Sequence, residues 1–319
     1  MPRISGTSHA DPRALALLGT MLLACGTRDG IVGAVPPAGV IDGGGQATTA
    51  PALSSEFVDN GGLWTVWSRL PGADVTFGSA VASARDGRAV VLRMPGAALS
   101  DPATNSGPDL ATEIDSVQFL RYGTLRAGVQ FPTCAANEEM AASMFWFYND
   151  GQDRNGNGIV DNPEIDIHAL CSAPNILVFT AWSDYQIAND GSETFLRATR
   201  AIDLATGDIY DGVSDHQRAY VKTGNNSAFI QPSFAPVTSF QEIGIEWRTD
   251  SIRFFVVLDG VEVTLWVMTE ARFVPQVPLQ FCFNAWHPST HWLPPSAPAL
   301  YPAADALMRI DWFGYWPAR

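Results

Sequence analysis

The sequence predicts an all-β fold built as an antiparallel sandwich. Short apolar or alternating runs recur from about residue 56, for example at 89–94, 124–131, 176–180, 242–247 and 252–258. Gly, Pro, Asn and Asp stand between these runs, as in the turn Asp259-Gly260. No long segment carries the apolar period of a helix. Many short strands with regular turn signals are typical of a two-sheet sandwich of antiparallel strands.

The composition narrows the range of partners. The chain has 319 residues, 46% of them hydrophobic, which is enough for one large domain or two small ones. Its formal net charge is −14, and Lys222 is its one lysine. Phosphate binding needs a basic surface, so a nucleic-acid partner is excluded. An acidic surface also disfavours anionic polysaccharides, whereas neutral glycans remain compatible.

The N-terminal residues predict export. Arg3 and Arg13 precede an apolar stretch, Ala14 to Ala24, which is too short to span a bilayer but suits a signal segment. It ends in Leu22-Leu23-Ala24-Cys25, which resembles a bacterial lipobox, where the cysteine is lipidated and becomes the new N-terminus. We therefore expect residues 1–25 to anchor a monomeric lipoprotein to a bacterial membrane or cell surface. The alternative is an ordinary signal peptide with a chance cysteine.

A tether is predicted between this anchor and the folded part. Residues 26–55 are rich in Gly, Ala, Pro and Thr and show no apolar periodicity. Such a flexible segment would reach about 30 Å as a random coil. The folded domain is then expected to occupy residues 56–319.

The cysteines predict one disulfide. With Cys25 lipidated, Cys134, Cys171 and Cys282 remain, and an odd count in an exported protein indicates one bridge and one free thiol. Cys134 and Cys171 are the expected pair. Cys282 lies in the apolar run 279–283, which suits a buried thiol.

The run Glu164-Ile165-Asp166-Ile167-His168 is the main candidate for a functional site. Successive side chains of a strand alternate between its faces, so Glu164, Asp166 and His168 share one face while the two isoleucines enter the core. Two carboxylates on one strand face are costly unless that face is hydrated and used. The pattern therefore predicts an open groove lined by these three side chains.

This run resembles the Glu-x-Asp-x-Glu strand of glycoside hydrolase family 16, with His168 in place of the last Glu. Further blocks follow the order of lichenase-like, laminarinase-like and xyloglucan-transglycosylase-like members: Glu113–Phe131, Met144–Phe147, Gly244–Gly260, Phe283–His287 with His291-Trp292, and Met308–Phe313. The resemblance covers about residues 60–317. It implies a β-jelly roll of two stacked antiparallel sheets, of the concanavalin A-like lectin and glucanase type, with a glycan cleft across one sheet.

The resemblance also implies catalytic roles. Glu164 corresponds to the nucleophile of a retaining mechanism and Asp166 to its helper, and the two working carboxyls of such enzymes lie about 5–5.5 Å apart. The acid/base position falls on His168, or on Ala169 if the strand carries a bulge. Neither is a carboxylic acid.

Three interpretations follow from this substitution. His168 can itself give and take the proton, because imidazole titrates near neutrality and the neighbouring carboxylates favour its charged form. Alternatively, Asp184 or Glu113 supplies the proton. In the third, the cleft binds glycan without cutting it. We favour a hydrolase acting on internal β-linkages of a neutral polysaccharide such as a β-glucan, over a non-catalytic carbohydrate-binding lipoprotein; a structural surface protein with a dry, filled cleft is a weaker alternative.

The substrate-binding residues are expected from the same blocks. The tryptophans in blocks that border the cleft are Trp146, Trp182, Trp286 and Trp292, and the last two are the best candidates for stacking on sugar rings. Asn284 and Glu113 are expected to hydrogen-bond sugar hydroxyls. Asp115 stands where the family has an Arg close after the position of Glu113, so the identity of the substrate is open.

A calcium loop is predicted directly before the carboxylate strand. Residues 153–164 match the twelve-residue template, with oxygen side chains at positions 1, 3, 5 and 9, Gly at 6 and Glu at 12. Because Glu164 cannot both chelate calcium and attack a sugar, it is left free. The expected ligands are Asp153, Asn155, Asn157, the Ile159 carbonyl and Asp161. A polar turn without metal is the alternative, and no organic cofactor is expected.

Overall fold

The structure is a computed structural model. It describes residues 41–42, 50–68, 72–96, 111–188, 193–212, 220–288, 290–293 and 297–318. The expected signal segment and Cys25 lie outside these residues. Within them, no helix is long and apolar enough to cross a membrane.

Eighteen strands and two short 3-10 helices make up the regular structure of the described residues. The strands are β1 (Ile41–Asp42), β2 (Leu53–Ser55), β3 (Trp64–Ser68), β4 (Asp74–Ala80), β5 (Arg88–Met94), β6 (Ala111–Arg121), β7 (Gly123–Gln130), β8 (Ala141–Phe147), β9 (Asp161–Leu170), β10 (Ala173–Ile187), β11 (Glu193–Asp203), β12 (Asp208–Asp211), β13 (Val221–Asn225), β14 (Gln241–Trp247), β15 (Ile252–Leu258), β16 (Val261–Met268), β17 (Leu279–Trp286) and β18 (Ala306–Pro317). The helices are Ser227–Phe229 and Ala271–Phe273.

The strands form two sheets. The first has the order β1-β6-β17-β8-β9-β10-β11-β12-β13, with β3 also paired to β6. The second has the order β16-β15-β14-β7-β18-β5-β4, with β2 paired to β18. The pairs are antiparallel apart from β1 with β6. The predicted antiparallel jelly-roll sandwich is confirmed.

The core lies between the two sheets. Ile165 and Ile167 of β9 join Ile243 and Ile245 of β14 in one continuous cluster of buried apolar side chains. Burying one such side chain stabilises the fold by about 1.5–3 kcal/mol. Polar side chains on the same strands are therefore driven to the opposite face of the first sheet. We call that face, turned away from the core, the site face.

The tether ends earlier than expected. Ile41 and Asp42 pair with Leu120 and Arg121 of β6. Leu53 to Ser55 pair with residues 313–315 of β18. The boundary predicted at residue 56 is thus wrong, because backbone pairing at a sheet edge needs no apolar periodicity and leaves no signal in the sequence.

The turn between β6 and β7 requires its glycine. Tyr122 and Gly123 have φ of 47° and 152°. A Cβ on Gly123 would lie 2.5 Å from the Trp316 carbonyl oxygen and 2.7 Å from the Tyr315 ring. The sharp turn sends β6 into the first sheet and β7 into the second, so it fixes how the sheets stack.

Cys134 and Cys171 form the expected disulfide, with their Cα atoms 5.2 Å apart. Cys171 directly follows β9, so the bridge ties the end of the carboxylate strand to the segment that precedes β8. Cys282 is a buried thiol outside any disulfide and packs with Phe145 and Phe147 on the site face.

Candidate active site

Strand register brings most of the predicted residues onto the site face. Side chains of residues directly opposite each other on neighbouring strands lie on the same face of a sheet. Glu164 lies opposite Trp182, which lies opposite Arg197. His168 lies opposite Ser143, Ser143 opposite Asn284, and Asn284 opposite Glu113. The site face therefore carries Glu113, Asn284, His168, Asp166, Glu164, Trp182 and Arg197.

The carboxylate strand alternates as predicted, but its polar face is closed. Glu164, Asp166 and His168 are only 8%, 0% and 6% exposed. Trp182 covers Asp166 from the next strand, and the edge of the Trp292 ring lies against His168 with the ring centroids 5.1 Å apart. The open groove expected from the sequence is thus corrected to a nearly dry one, because aromatic side chains fill the space beside the strand.

Each of the three side chains is held by a neighbour. Asn162 Nδ2 donates to Glu164 Oε2 at 3.1 Å, and Trp182 Nε1 donates to Asp166 Oδ2 at 3.1 Å. His168 Nδ1 lies 2.7 Å from Ser143 Oγ, and its Nε2 lies 3.7 Å from Asp166 Oδ2. The imidazole and both carboxyl groups are therefore fixed in orientation.

Burial sets the protonation of the two carboxyls. It raises the pKa of Glu164 well above its ordinary value, and the charge of Asp166 and a hydrogen bond to it add to the rise. Burial also raises the pKa of Asp166 to about 7, against hydrogen bonds from Glu164 and Trp182 and the charge of Arg197. Burial and the hydrogen bond to Asp166 therefore both favour the protonated form of Glu164.

His168 is neutral at the same pH. Burial lowers its pKa to about 4, although the charge of Glu164 acts in the opposite direction. The expected shift, with neighbouring carboxylates favouring the charged imidazole, is therefore wrong in sign, because loss of hydration outweighs their attraction. A neutral imidazole can accept a proton but has none to give as a general acid near neutral pH.

Neither alternative proton donor faces Glu164. Glu113 lies on β6, three strand spacings from β9, which is about 14 Å at the backbone. Asp184 accepts from Asn155 Nδ2 at 2.7 Å and Asn157 Nδ2 at 2.9 Å, so it belongs to the loop before β9. Among the described residues, Asp166 is the one carboxyl that contacts Glu164.

Trp286 and Trp292 do not form exposed platforms. They are 5% and 6% exposed, and their ring centroids lie 5.6 Å apart in a cluster with Val178 and Tyr220. The prediction that their faces stack on sugar is corrected, since neighbouring apolar side chains occupy those faces. Both indole nitrogens are nevertheless buried with no hydrogen-bond partner among the described residues.

Trp146 lies on the wrong face for substrate. It is opposite Ile165 and fully buried in the core, with its ring 5.3 Å from Trp247 and 5.9 Å from Phe281 between centroids. Its predicted role in the cleft is therefore wrong. All seven residues of β8 are buried, so the alternation that would have assigned its face is hidden in the sequence.

Asn284 and Glu113 lie where the resemblance implied. Asn284 Nδ2 donates to Glu113 Oε2 at 3.1 Å, and both side chains are buried. Asp115, which stands where the family has an Arg, accepts from Trp67 Nε1 at 2.8 Å. This end of the site face thus combines an amide, two carboxyl groups and an indole.

Several polar atoms of the site face lack hydrogen bonds within the described part of the chain. They are Asp166 Oδ1, Arg197 Nε, Asn284 Oδ1, Trp286 Nε1 and Trp292 Nε1. Each such buried atom costs about 1–3 kcal/mol when left unsatisfied. Unsatisfied polar atoms also lie off the site face, such as Trp64 Nε1 and Trp146 Nε1 in the core, whereas a polar ligand could satisfy those on the site face.

Arg197 is the site residue that the sequence interpretation missed. It lies between Phe195 and Thr199 in a strand whose odd-numbered residues from 195 to 201 are buried. Its guanidinium lies over the Trp182 ring at 4.8 Å from the centroid. The alternation of buried and half-buried residues could have identified Arg197, because a charged side chain at a buried position of a strand is unusual.

The predicted calcium loop is built from oxygen-bearing side chains. Asp153 accepts from the backbone N–H groups of Gly156, Asn157 and Gly158 at 2.8, 3.2 and 2.9 Å. Buried Asp184 of β10 adds a carboxylate to this loop, and Glu164 is bound by Asn162 outside it. The donor set of carboxylate, amide and carbonyl oxygens fits a hard cation such as Ca²⁺.

Comparisons with known proteins find likeness in solved structures. No family model matches the chain. No curated protein sequence matches it either. A β-glucanase of Bacillus licheniformis is 16% identical, with 85% of this chain and 100% of that chain covered and a TM-score of 0.47.

Two further solved structures are similar to the chain. The catalytic domain of a laminarinase, an endo-1,3-β-glucanase from Thermotoga petrophila, is 14% identical, with 86% of this chain and 100% of that chain covered and a TM-score of 0.49. The κ-carrageenase from Pseudoalteromonas carrageenovora, solved with a κ-carrageenan oligotetrasaccharide, is also 14% identical, with 83% and 92% covered and a TM-score of 0.49. These solved structures are what the chain is similar to, and its sandwich fold is shown by the two sheets described above.

The protonation of Asp166 predicts a specific pH dependence of stability. The pKa of Asp166 is 3.8 ordinarily and about 7 in the fold. The protonated carboxyl therefore contributes fully to the free energy of unfolding below about pH 4, and this contribution is lost as the pH rises to 7. Asp166→Asn should therefore gain stability relative to wild type between pH 4 and 7, by up to about 4 kcal/mol. Urea unfolding at pH 4, 5.5 and 7 measures the difference.

Asp305→Asn is the matched control for this measurement. A hydrogen bond from Arg93 and the Gly96 N–H lower the pKa of Asp305, so its contribution to stability is present above the unfolded pKa. This variant should lose stability relative to wild type as the pH rises. A pH-independent difference between Asp166→Asn and wild type would contradict the assigned protonation of the site.

Proposed function

We propose that the site face binds a polysaccharide chain, and that the protein is a glycoside hydrolase-like, carbohydrate-active protein whose main activity is recognition. The single observation that carries the proposal is the set of buried, unsatisfied polar atoms on the site face. Sugar hydroxyls both donate and accept, so they can satisfy Asn284 Oδ1 and Asp166 Oδ1 as well as the indole N–H groups of Trp286 and Trp292.

Recognition is favoured over cleavage by the protonation of the site. A retaining mechanism needs an ionised nucleophile and a protonated acid at the same time. Burial favours the protonated form of Glu164, the nucleophile candidate, and the neutral form of His168, the acid candidate. The resting site at neutral pH therefore holds the opposite of what the retaining reaction requires at these two positions.

Cleavage of internal β-linkages is the second candidate function. It is favoured by the hydrogen bond between the Glu164 and Asp166 carboxyls, which leaves one protonated and one partly ionised. Environments that push two neighbouring carboxyl pKa values apart are typical of acid/base pairs. On this interpretation Glu164 must first lose its proton to attack, so the rate would rise with pH.

The proposed location is the bacterial cell surface. The disulfide between Cys134 and Cys171 suits an oxidising, exported environment. Lipidation of Cys25 would then hold a monomer at the membrane, with the folded domain reaching a polysaccharide outside it. Mass spectrometry of the membrane fraction, with a Cys25→Ser variant as comparison, tests the anchor.

Asn284 provides the most direct test of recognition. Asn284→Ala should weaken binding to the polysaccharide by about tenfold, because the hydrogen bond that the unsatisfied Oδ1 would accept from a sugar hydroxyl is lost. Affinity electrophoresis against a panel of β-linked polysaccharides measures the change. Asn225→Ala, which alters an exposed amide on β13, should bind like wild type. The proposal fails if wild type binds no polysaccharide or if Asn284→Ala binds at full strength.

His168→Glu tests whether the chain is a binding relative of an enzyme. We expect wild type to bind without measurable cleavage at pH 7, and His168→Glu to gain cleavage, since a general acid contributes about 10²–10⁴-fold. Reducing-end release gives the rate. His168→Gln is the control of similar size, and adding Glu164→Ala should abolish the gain. A wild type that cleaves as fast as His168→Glu would instead support the second candidate function.

Calcium is proposed as a structural ligand of the loop formed by Asp153, Asn155, Asn157, Ile159 and Asp161, with Asp184 as an added carboxylate. Binding to the native state stabilises by about 2.7 kcal/mol at a hundredfold excess over Kd, or about 5–10 °C in Tm. Thermal melts with calcium and with chelator measure the shift. Asp161→Asn should reduce it and Asp259→Asn, in a distant turn, should not. Melts indifferent to calcium would contradict the site.

A further inference from the structure

Arg197 is a cation held on the site face by aromatic rings. Its guanidinium carbon lies 4.8 Å from the Trp182 centroid and 5.2 Å from the Phe195 centroid. The side chain is 9% exposed. Two rings and two strands thus fix the position of the guanidinium before any ligand arrives.

This cation has no anionic partner among the described residues. Arg197 forms no ion pair or hydrogen bond there, and its Nε is buried and unsatisfied. Arg200, three residues further along the same strand, shows the contrast: its Nε and an Nη donate to the two oxygens of Asp211 at 2.7 and 3.3 Å. A buried charge without a partner is costly, so the position is not explained by packing alone.

The two carboxyls of the site do not supply the missing anion. Burial and the hydrogen bond to Asp166 favour the protonated, uncharged form of Glu164. Asp166 Oδ2 accepts from Trp182 Nε1 and faces His168. The charges of Asp166 and Glu164 influence Arg197 only from a distance, and burial lowers the pKa of Arg197.

We propose that Arg197 binds an anionic substituent of the polysaccharide, a sulfate ester or a uronate carboxylate, which rests on the proposed function of the site face. A guanidinium presents parallel N–H groups that match two oxygens of such a group. The hydroxyl of Tyr220 lies 2.9 Å from Thr199 Oγ1, beside the next residue after Arg197 on the same face of β11, and can add a donor. Arg197 lies opposite Trp182, so the substituent would lie next to Glu164.

The acidity of the whole chain does not oppose this assignment. The formal net charge of −14 argued for neutral glycans. Interactions between exposed charges are screened over about 8 Å at physiological ionic strength, whereas a partly buried pair is screened much less. The net charge therefore slows the approach of an anionic chain, while the local charge at Arg197 decides which sugar unit is held.

The experiment compares an unsubstituted, a sulfated and a uronate-bearing oligosaccharide. All three share one β-linked backbone, which is that of the polysaccharide that wild type binds. Calorimetry at fixed salt gives Kd for wild type, Arg197→Met, Arg197→Lys and Arg200→Met. Wild type should prefer at least one anionic form by about tenfold or more, as charge-assisted hydrogen bonds allow. Arg197→Met should lose this preference, Arg197→Lys should keep only part of it, and Arg200→Met should keep all of it.

The outcomes test the role of Arg197 and the proposed function of the site face separately. A preference for one anionic form alone identifies sulfate or carboxylate as the ligand. Equal binding of all three oligosaccharides by wild type overturns the role of Arg197 and leaves the proposed function intact. Absence of binding to any polysaccharide overturns both. A preference that persists in a folded Arg197→Met variant also overturns the inference. If that variant does not fold, an undiminished preference in Arg197→Lys overturns it instead.

Discussion

Loss of hydration on one face of strand β9 is the constraint on which the site depends. The sequence Glu-Ile-Asp-Ile-His would give a wet, acidic groove if its polar face were open. Aromatic side chains close that face, and Asp166 has no exposed surface. Burial then outweighs local charge attraction for all three ionisable groups. It protonates Glu164, leaves Asp166 near half ionisation and keeps His168 neutral.

The architecture produces this burial through strand order. Because β9 lies between β8 and β10 at the middle of the first sheet, its residues have side-chain neighbours on both sides. Trp182 comes from β10, and Trp292 and Tyr220 come from segments outside the central strands. The core on the opposite face anchors the strand through Ile165 and Ile167. A site of fixed, dry polar groups suits recognition, where preformed geometry reduces the cost of ordering the protein on binding.

The sequence predicted the features that follow from a local pattern. Alternation along β9 placed Glu164, Asp166 and His168 on one face. Features that depend on the neighbouring strands could not be predicted from the sequence. Trp146 was assigned to the wrong face because β8 is apolar on both faces, and register against Ile165 alone decides the matter. The sign of the shift at His168 depends on burial by Trp292, a residue more than a hundred positions away. Arg197 carried a signal only in its alternation with Phe195 and Thr199.

The central claim is that burial, not the neighbouring carboxylates, governs His168. An NMR titration of the His168 imidazole, assigned by comparison with His168→Gln, tests it most directly. The account predicts a neutral ring throughout pH 5.5–8, with protonation only as the pH falls toward about 4. A ring that titrates at or above the ordinary histidine value of 6.5 would contradict it, because His168 would then hold a proton for catalysis near neutral pH.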